Sequence, residues 1–177
     1  RFDELDRRTG FGVNGKMGAL NAIDMLRDGE GQWWGWAVGD DADFDRFKAM
    51  TIRLTPEDGW KVWPATNIAK NFYDVHLVAP DDAWAVGEGG IEAWYNEVSS
   101  PEGGIWRSPG LSGSDALYAV DLTDALRGWS GGFRGRMNKY HGHCHDDDPA
   151  TQCWFDNRAI PLFSPSGSVW NLAVYDI

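Results

Sequence analysis

Short apolar runs with polar positions set between them recur along the chain, separated by glycine- and proline-rich punctuation. Leu20-Asn21-Ala22-Ile23-Asp24-Met25-Leu26 is the first. Phe72–Val78, Leu117–Leu122 and Val169–Tyr175 carry the same pattern. Ala, Leu and Met in the first copy would also suit a helix. The later copies are dominated by β-branched and aromatic residues, which favours a strand throughout. Aligning Ile23, Val75, Val120 and Leu172 gives spacings of 52, 45 and 52 residues.

A second motif repeats in phase with the first. Asp82-Ala83-Trp84-Ala85-Val86-Gly87-Glu88-Gly89-Gly90-Ile91 is its sharpest copy. Gly35-Trp36-Ala37-Val38-Gly39 and Gly128-Trp129-Ser130-Gly131-Gly132 are weaker ones, with the tryptophans 48 and 45 residues apart. Strand-rich units at a period of 40–50 residues are the signature of propeller blades. Four strands are predicted per repeat: 20–26, 33–39, 48–55 and 60–64, then 72–79, 83–87, 91–96 and 104–108, then 116–122, 127–133, 135–140 and 152–156.

The fold expected is therefore all-β, a β-propeller or propeller segment of four-stranded antiparallel blades. Blade 1 spans 20–66, blade 2 spans 67–112 and blade 3 spans 113–160. Residues 161–177 read as a connector and the first strand of an incomplete blade. Residues 1–19 form an N-terminal segment in which Phe11–Val13 would supply a second strand to that blade. Three blades and a fraction imply a piece of a longer propeller or a small propeller completed by a partner, since open sheet edges invite pairing. The first strand of each blade, being the most apolar, is expected innermost.

The turns between third and fourth strands repeat as well. Thr55-Pro56-Glu57-Asp58-Gly59-Trp60 and Ser99-Ser100-Pro101-Glu102-Gly103-Gly104-Ile105-Trp106 both run hydroxyl, Pro, acid, Gly, Trp. The acid is expected to accept backbone N–H bonds, Gly to supply positive φ and Trp to pin the hairpin.

Together these motifs resemble the propellers of the photosystem II assembly and stability factor-like proteins and the wider bacterial neuraminidase-repeat (Asp-box) family. The resemblance covers roughly residues 20–156 and is sharpest in the second blade. In the first blade the loop after Gly39 is long and acidic. In the third, Gly131 replaces Val and Asp146-Asp147-Asp148-Pro149 stands in place of the Asp-box turn. The resemblance implies either a non-catalytic extracytoplasmic scaffold that holds a membrane complex, a photosynthetic one among the candidates, or a sialidase-type glycoside hydrolase. Function sits in the loops of such a fold.

Composition narrows the partner. The chain has 16 basic and 27 acidic residues, a net charge of −11, which disfavours nucleic acid and anionic lipid headgroups. Eleven Trp and 22 Gly suit large packed rings and many tight turns. No run of about 18 apolar residues is present to span a membrane as a helix. Cys144 and Cys153, the only cysteines, lie in one polar segment where a local disulfide would fit an extracytoplasmic, periplasmic or secreted protein. The chain begins at Arg1 rather than Met, which suggests a removed leader or a piece of something longer.

Candidate chemistry is sparse. A sialidase needs an arginine cluster and a Tyr backed by an acid; Arg134, Arg136 and Tyr140 are near in sequence, but no second source of Arg stands at the equivalent places of the other repeats. His141, His143 and His145 alternate and would share one side of an extended segment, a pattern able to hold Zn²⁺ or Cu²⁺. Asp41, Asp43 and Asp45 resemble the start of a Ca²⁺ loop, but Arg46 and Ile52 stand where an EF-hand needs Gly and Glu. No catalytic residue, and no resident cofactor, is assigned; Ca²⁺ and Zn²⁺ remain the alternatives. The reading is a non-catalytic interaction module that docks on protein subunits of a larger complex, with Trp33, Trp94, Tyr95 and Tyr140 as anchors. A glycan-binding propeller is the alternative.

Overall fold

A computed structural model describes residues 18–40, 49–63, 65, 68–96, 104–111, 114–140 and 154–159, with the backbone alone at 96, 109–111 and 154–159. Twelve strands lie in these residues: β1 (Leu20–Arg27), β2 (Trp33–Gly39), β3 (Met50–Thr55), β4 (Gly59–Val62), β5 (Phe72–Ala79), β6 (Asp82–Gly87), β7 (Ile91–Asn96), β8 (Ile105–Leu111), β9 (Leu117–Asp124), β10 (Arg127–Gly132), β11 (Arg136–Tyr140) and β12 (Trp154–Ala159). All twelve predicted strands are found, three with the same bounds and the rest with ends moved by at most three residues.

They form three four-stranded antiparallel meanders, β1–β4, β5–β8 and β9–β12. No α-helix occurs among the described residues. The first strands stand next to one another: β1 touches β5, and β5 touches β9.

Corresponding positions can be read from the register. Trp36, Trp84 and Trp129 lie opposite Asp24, His76 and Asp121 on the neighbouring first strands. The third strands place Leu54, Tyr95 and Tyr140 opposite Gly35, Ala83 and Gly128.

The glycine closing each second strand has a steric cause. Gly39, Gly87 and Gly132 lie against the backbone of residues 19, 71 and 116, and a Cβ there would collide with the carbonyl oxygen. That oxygen accepts the N–H of the next residue: Asp40 to Ala19 at 2.9 Å, Glu88 to Asn71 at 2.9 Å, Phe133 to Ala116 at 2.8 Å. One latch thus ties the end of each second strand to the start of the first. After it come tight 3-10 turns at 88–90 and 133–135, with Gly89 at φ 65° and Arg134 at φ 59°.

Side chains that face the next sheet make the core. The indole of Trp36 meets Tyr95 at 4.7 Å and 59°, and that of Trp84 meets Tyr140 at 4.7 Å and 53°. At the first junction Trp36 packs in one cluster with Phe72, Val75, Tyr95 and Trp106. At the second, Trp84 packs with Leu117, Val120 and Tyr140. Arg53 is buried at the first junction. Its guanidinium lies 4.9–5.7 Å from the rings of Trp34, Trp36, Trp63 and Tyr95 and donates to Tyr95 Oη at 2.8 Å.

The hairpin at 55–60 departs from expectation in one respect. The Thr55 hydroxyl, not an acidic side chain, accepts the Asp58 N–H (3.2 Å), while Asp58 pairs with Lys61. Gly59 takes φ 69°, and Trp60 packs over Ala37, Met50 and Ile52. The matching turn at 97–103 lies outside the described residues.

Candidate functional site

The shared register brings titratable side chains together along the first strands. Asp24, His76 and Asp121 occupy one position in three successive sheets, so their side chains form a row. His76 Nδ1 lies 3.3 Å from Asp121 Oδ1 and 3.6 Å from Asp24 Oδ2, and all three groups are partly open to water. Asp24 also accepts the N–H groups of Leu77 and Met25, each at 2.8 Å. Asp74, two residues before His76, accepts the Val120 N–H at 2.7 Å. These carboxylates satisfy first-strand N–H groups of the following sheet that no strand pairs. Burial pushes the Asp74 carboxyl above its ordinary value, against its bonds from the N–H groups of Val120 and Val75; the Asp24 charge adds to the rise and His76 opposes it. The row is an acidic, water-accessible stripe with one imidazole at its centre. Among the described residues no group of three or more His, Cys, Asp or Glu is arranged to hold a metal ion.

A second polar set is buried between the second and third sheets. Glu92 on β7 accepts from Ser130 Oγ at 3.0 Å and from Asn138 Nδ2 at 2.7 Å. Arg136 Nε donates to Asn138 Oδ1 at 3.4 Å. Burial pulls the Arg136 guanidinium down from its ordinary value, while the charges of Glu92 and Asp115 pull it up. At the first junction the same positions hold Thr51 opposite Ala85, Ala93 and Ile91. The polar residues have therefore changed on both sides of one junction together.

The third feature is an aromatic left uncovered. Trp36 is 1% exposed and Trp84 0%, each seated in the next sheet, whereas Trp129 is 43% exposed. Lys139 Nζ lies over its ring at 5.5 Å. At the opposite end Leu20 and Ile23 are 47% and 55% exposed, although Phe72, Leu117, Val75 and Val120 at the same positions are buried.

The expected anchors distribute unevenly. Trp33 is exposed, with the Arg27 guanidinium 5.4 Å from its ring. Trp94 is half-buried and stacks on Trp84 at 6.1 Å. Tyr95 and Tyr140 are not surface anchors, because both are fully buried as the rings that receive Trp36 and Trp84. Asp41, Asp43, Asp45, His141, His143, His145, Cys144 and Cys153 lie outside the described residues.

Sequence reasoning passed over the Asp24–His76–Asp121 row and Trp129. The alignment of Ile23, Val75 and Val120 already contained the signal, since the row lies one residue further along each copy. No protein-family model matches this sequence, and no curated protein matches it either.

Proposed function

We propose that this chain is a non-catalytic protein-interaction module of propeller type, its three meanders acting as successive blades, and that it serves as a subunit or assembly factor of a larger complex. Trp129 carries the reading. It occupies a position that the chain twice fills with a buried, inter-sheet tryptophan, and there nearly half of it stays in water. An exposed indole at one end of a packed stack, with an exposed apolar strip at the other, is the kind of aromatic that anchors protein interfaces. The side-by-side first strands support the propeller reading, as do the Gly-Trp-Ala-Val-Gly motifs. An extracytoplasmic site fits the two-cysteine segment, and a scaffold of the Asp-box type fits the motif resemblance.

The test is a photo-crosslinking residue at position 129, with a second probe at the solvent-exposed turn residue Pro56. A discrete adduct with a polypeptide from position 129 and none from 56 is expected. No adduct at 129, or equal adducts at both, would overturn the reading.

A further inference from the structure

We infer that the partner for both end faces is a second copy of this chain, the two closing head-to-tail into one ring of sheets. The inference rests on the interaction-module reading and names its partner. Each junction within the chain joins a plug to a socket. The plugs are Trp36 and Trp84. Across the sheets, the socket positions are held by Phe72, Val75 and Tyr95 in the second and by Leu117, Val120 and Tyr140 in the third. The third plug, Trp129, has no neighbouring sheet among the described residues. The first socket is left over as well: by register it consists of Leu20, Ile23 and Leu54. All three are apolar; the first two are exposed and Leu54 is half-buried.

Polarity along the junction agrees. At the position where the second sheet offers Glu92 to a polar face, the third sheet offers Met137. The corresponding positions in the first sheet are apolar, Ala37, Met50 and Ile52, with Trp60 packed against them. Those three are already buried, so the open strip runs along β1 and Leu54. A plug at one end and its socket at the other make a heterologous contact. Two copies satisfy it twice around a twofold axis and leave neither end open.

Native mass spectrometry and sedimentation of the full chain at micromolar concentration test this. A species of twice the 19.7 kDa chain mass is expected. Trp129→Lys and Ile23→Glu should each convert it to monomer, while Ile105→Gln, exposed on the middle sheet and away from both end faces, should leave it intact. Mixing the two monomeric variants should restore a dimer, because one junction in the mixed pair is unaltered and the other joins Lys to Glu. A contact between identical patches would not give that complementation. Cooperative thermal unfolding of each variant checks that it still folds.

A monomer at micromolar concentration, a dimer indifferent to Trp129→Lys, or failure of the mixture to pair would overturn the inference. A monomer whose position 129 still crosslinks to a different polypeptide would leave the interaction-module reading standing. A monomer with no adduct would end both.

Discussion

Gly87→Ala tests the latch that closes each second strand. The added Cβ would sit 2.9 Å from Phe72 Cα and 3.0 Å from the Asn71 carbonyl carbon, and closer still to its oxygen. These are backbone atoms at the start of β5, so no side chain can swing aside. Relief requires the strand start to move. That motion would strain the 2.9 Å bond from Glu88 N–H to the same oxygen and disturb Phe72, which is buried against Trp106 at 5.5 Å. Overpacking costs about 1–3 kcal/mol and a lost hydrogen bond about 1, so a loss of about 2–4 kcal/mol is expected. Guanidinium unfolding should show a lower midpoint at unchanged slope. Gly29→Ala is the control, because nothing lies within 4 Å of a Cβ there. A Gly87→Ala protein within about 0.5 kcal/mol of the parent would refute the steric argument.

Three further outcomes follow from buried or strained groups. Glu92→Ala should cost about 3–5 kcal/mol in chemical unfolding, because Asn138 and Ser130 lose their buried acceptor and Arg136 loses a compensating charge; adding Arg136→Met should recover part of it. Asp74 has a folded carboxyl value above its unfolded one, so the folded state holds the proton longer, and stability falls as pH rises from the unfolded value through the folded one. Asp74→Asn keeps an acceptor for the Val120 N–H and should remove that fall, giving a higher midpoint than the parent at neutral pH. Arg134 holds φ 59° in the turn where the second sheet uses Gly89. Arg134→Gly should therefore be more stable than Arg134→Ala by about 1 kcal/mol, since both lose the exposed pair to Asp115 but only glycine relieves the backbone.

The strands and their grouping into three sheets were readable because their signals are local and repeated. Apolar alternation, the Trp-x-x-Gly unit and the Pro-acid-Gly turns each mark one strand or hairpin, and the first two recur three times in phase, which makes the spacing reliable. Exposure was not readable in the same way. Tyr95, Tyr140 and Trp129 are all aromatic residues in comparable strands, and nothing in their own sequence separates them. What separates them is whether a following sheet exists to seat a ring, a property of position in the stack. Tyr95 and Tyr140 are sockets for the sheet before; Trp129 is a plug with no sheet after it among the described residues. The Asp24–His76–Asp121 row needed both the repeat alignment and the adjacency of β1, β5 and β9. The sequence supplied only the first.

A chain assembled from near-copies can stack them in the wrong order, and the four polar residues at the second junction make that error expensive. If the second sheet packed against another of its own kind, Glu92 would face Ala85, Ala93 and Ile91 and lie buried with no donor. If the third sheet followed the first, Ser130, Asn138 and Arg136 would look onto Thr51 with no carboxylate to meet. Either exchange strands charge in an apolar slot, at a cost of several kcal/mol. Glu92 and its partners therefore act as an address: they permit one sequence of sheets and penalise shuffled or strand-swapped assemblies of the same modules.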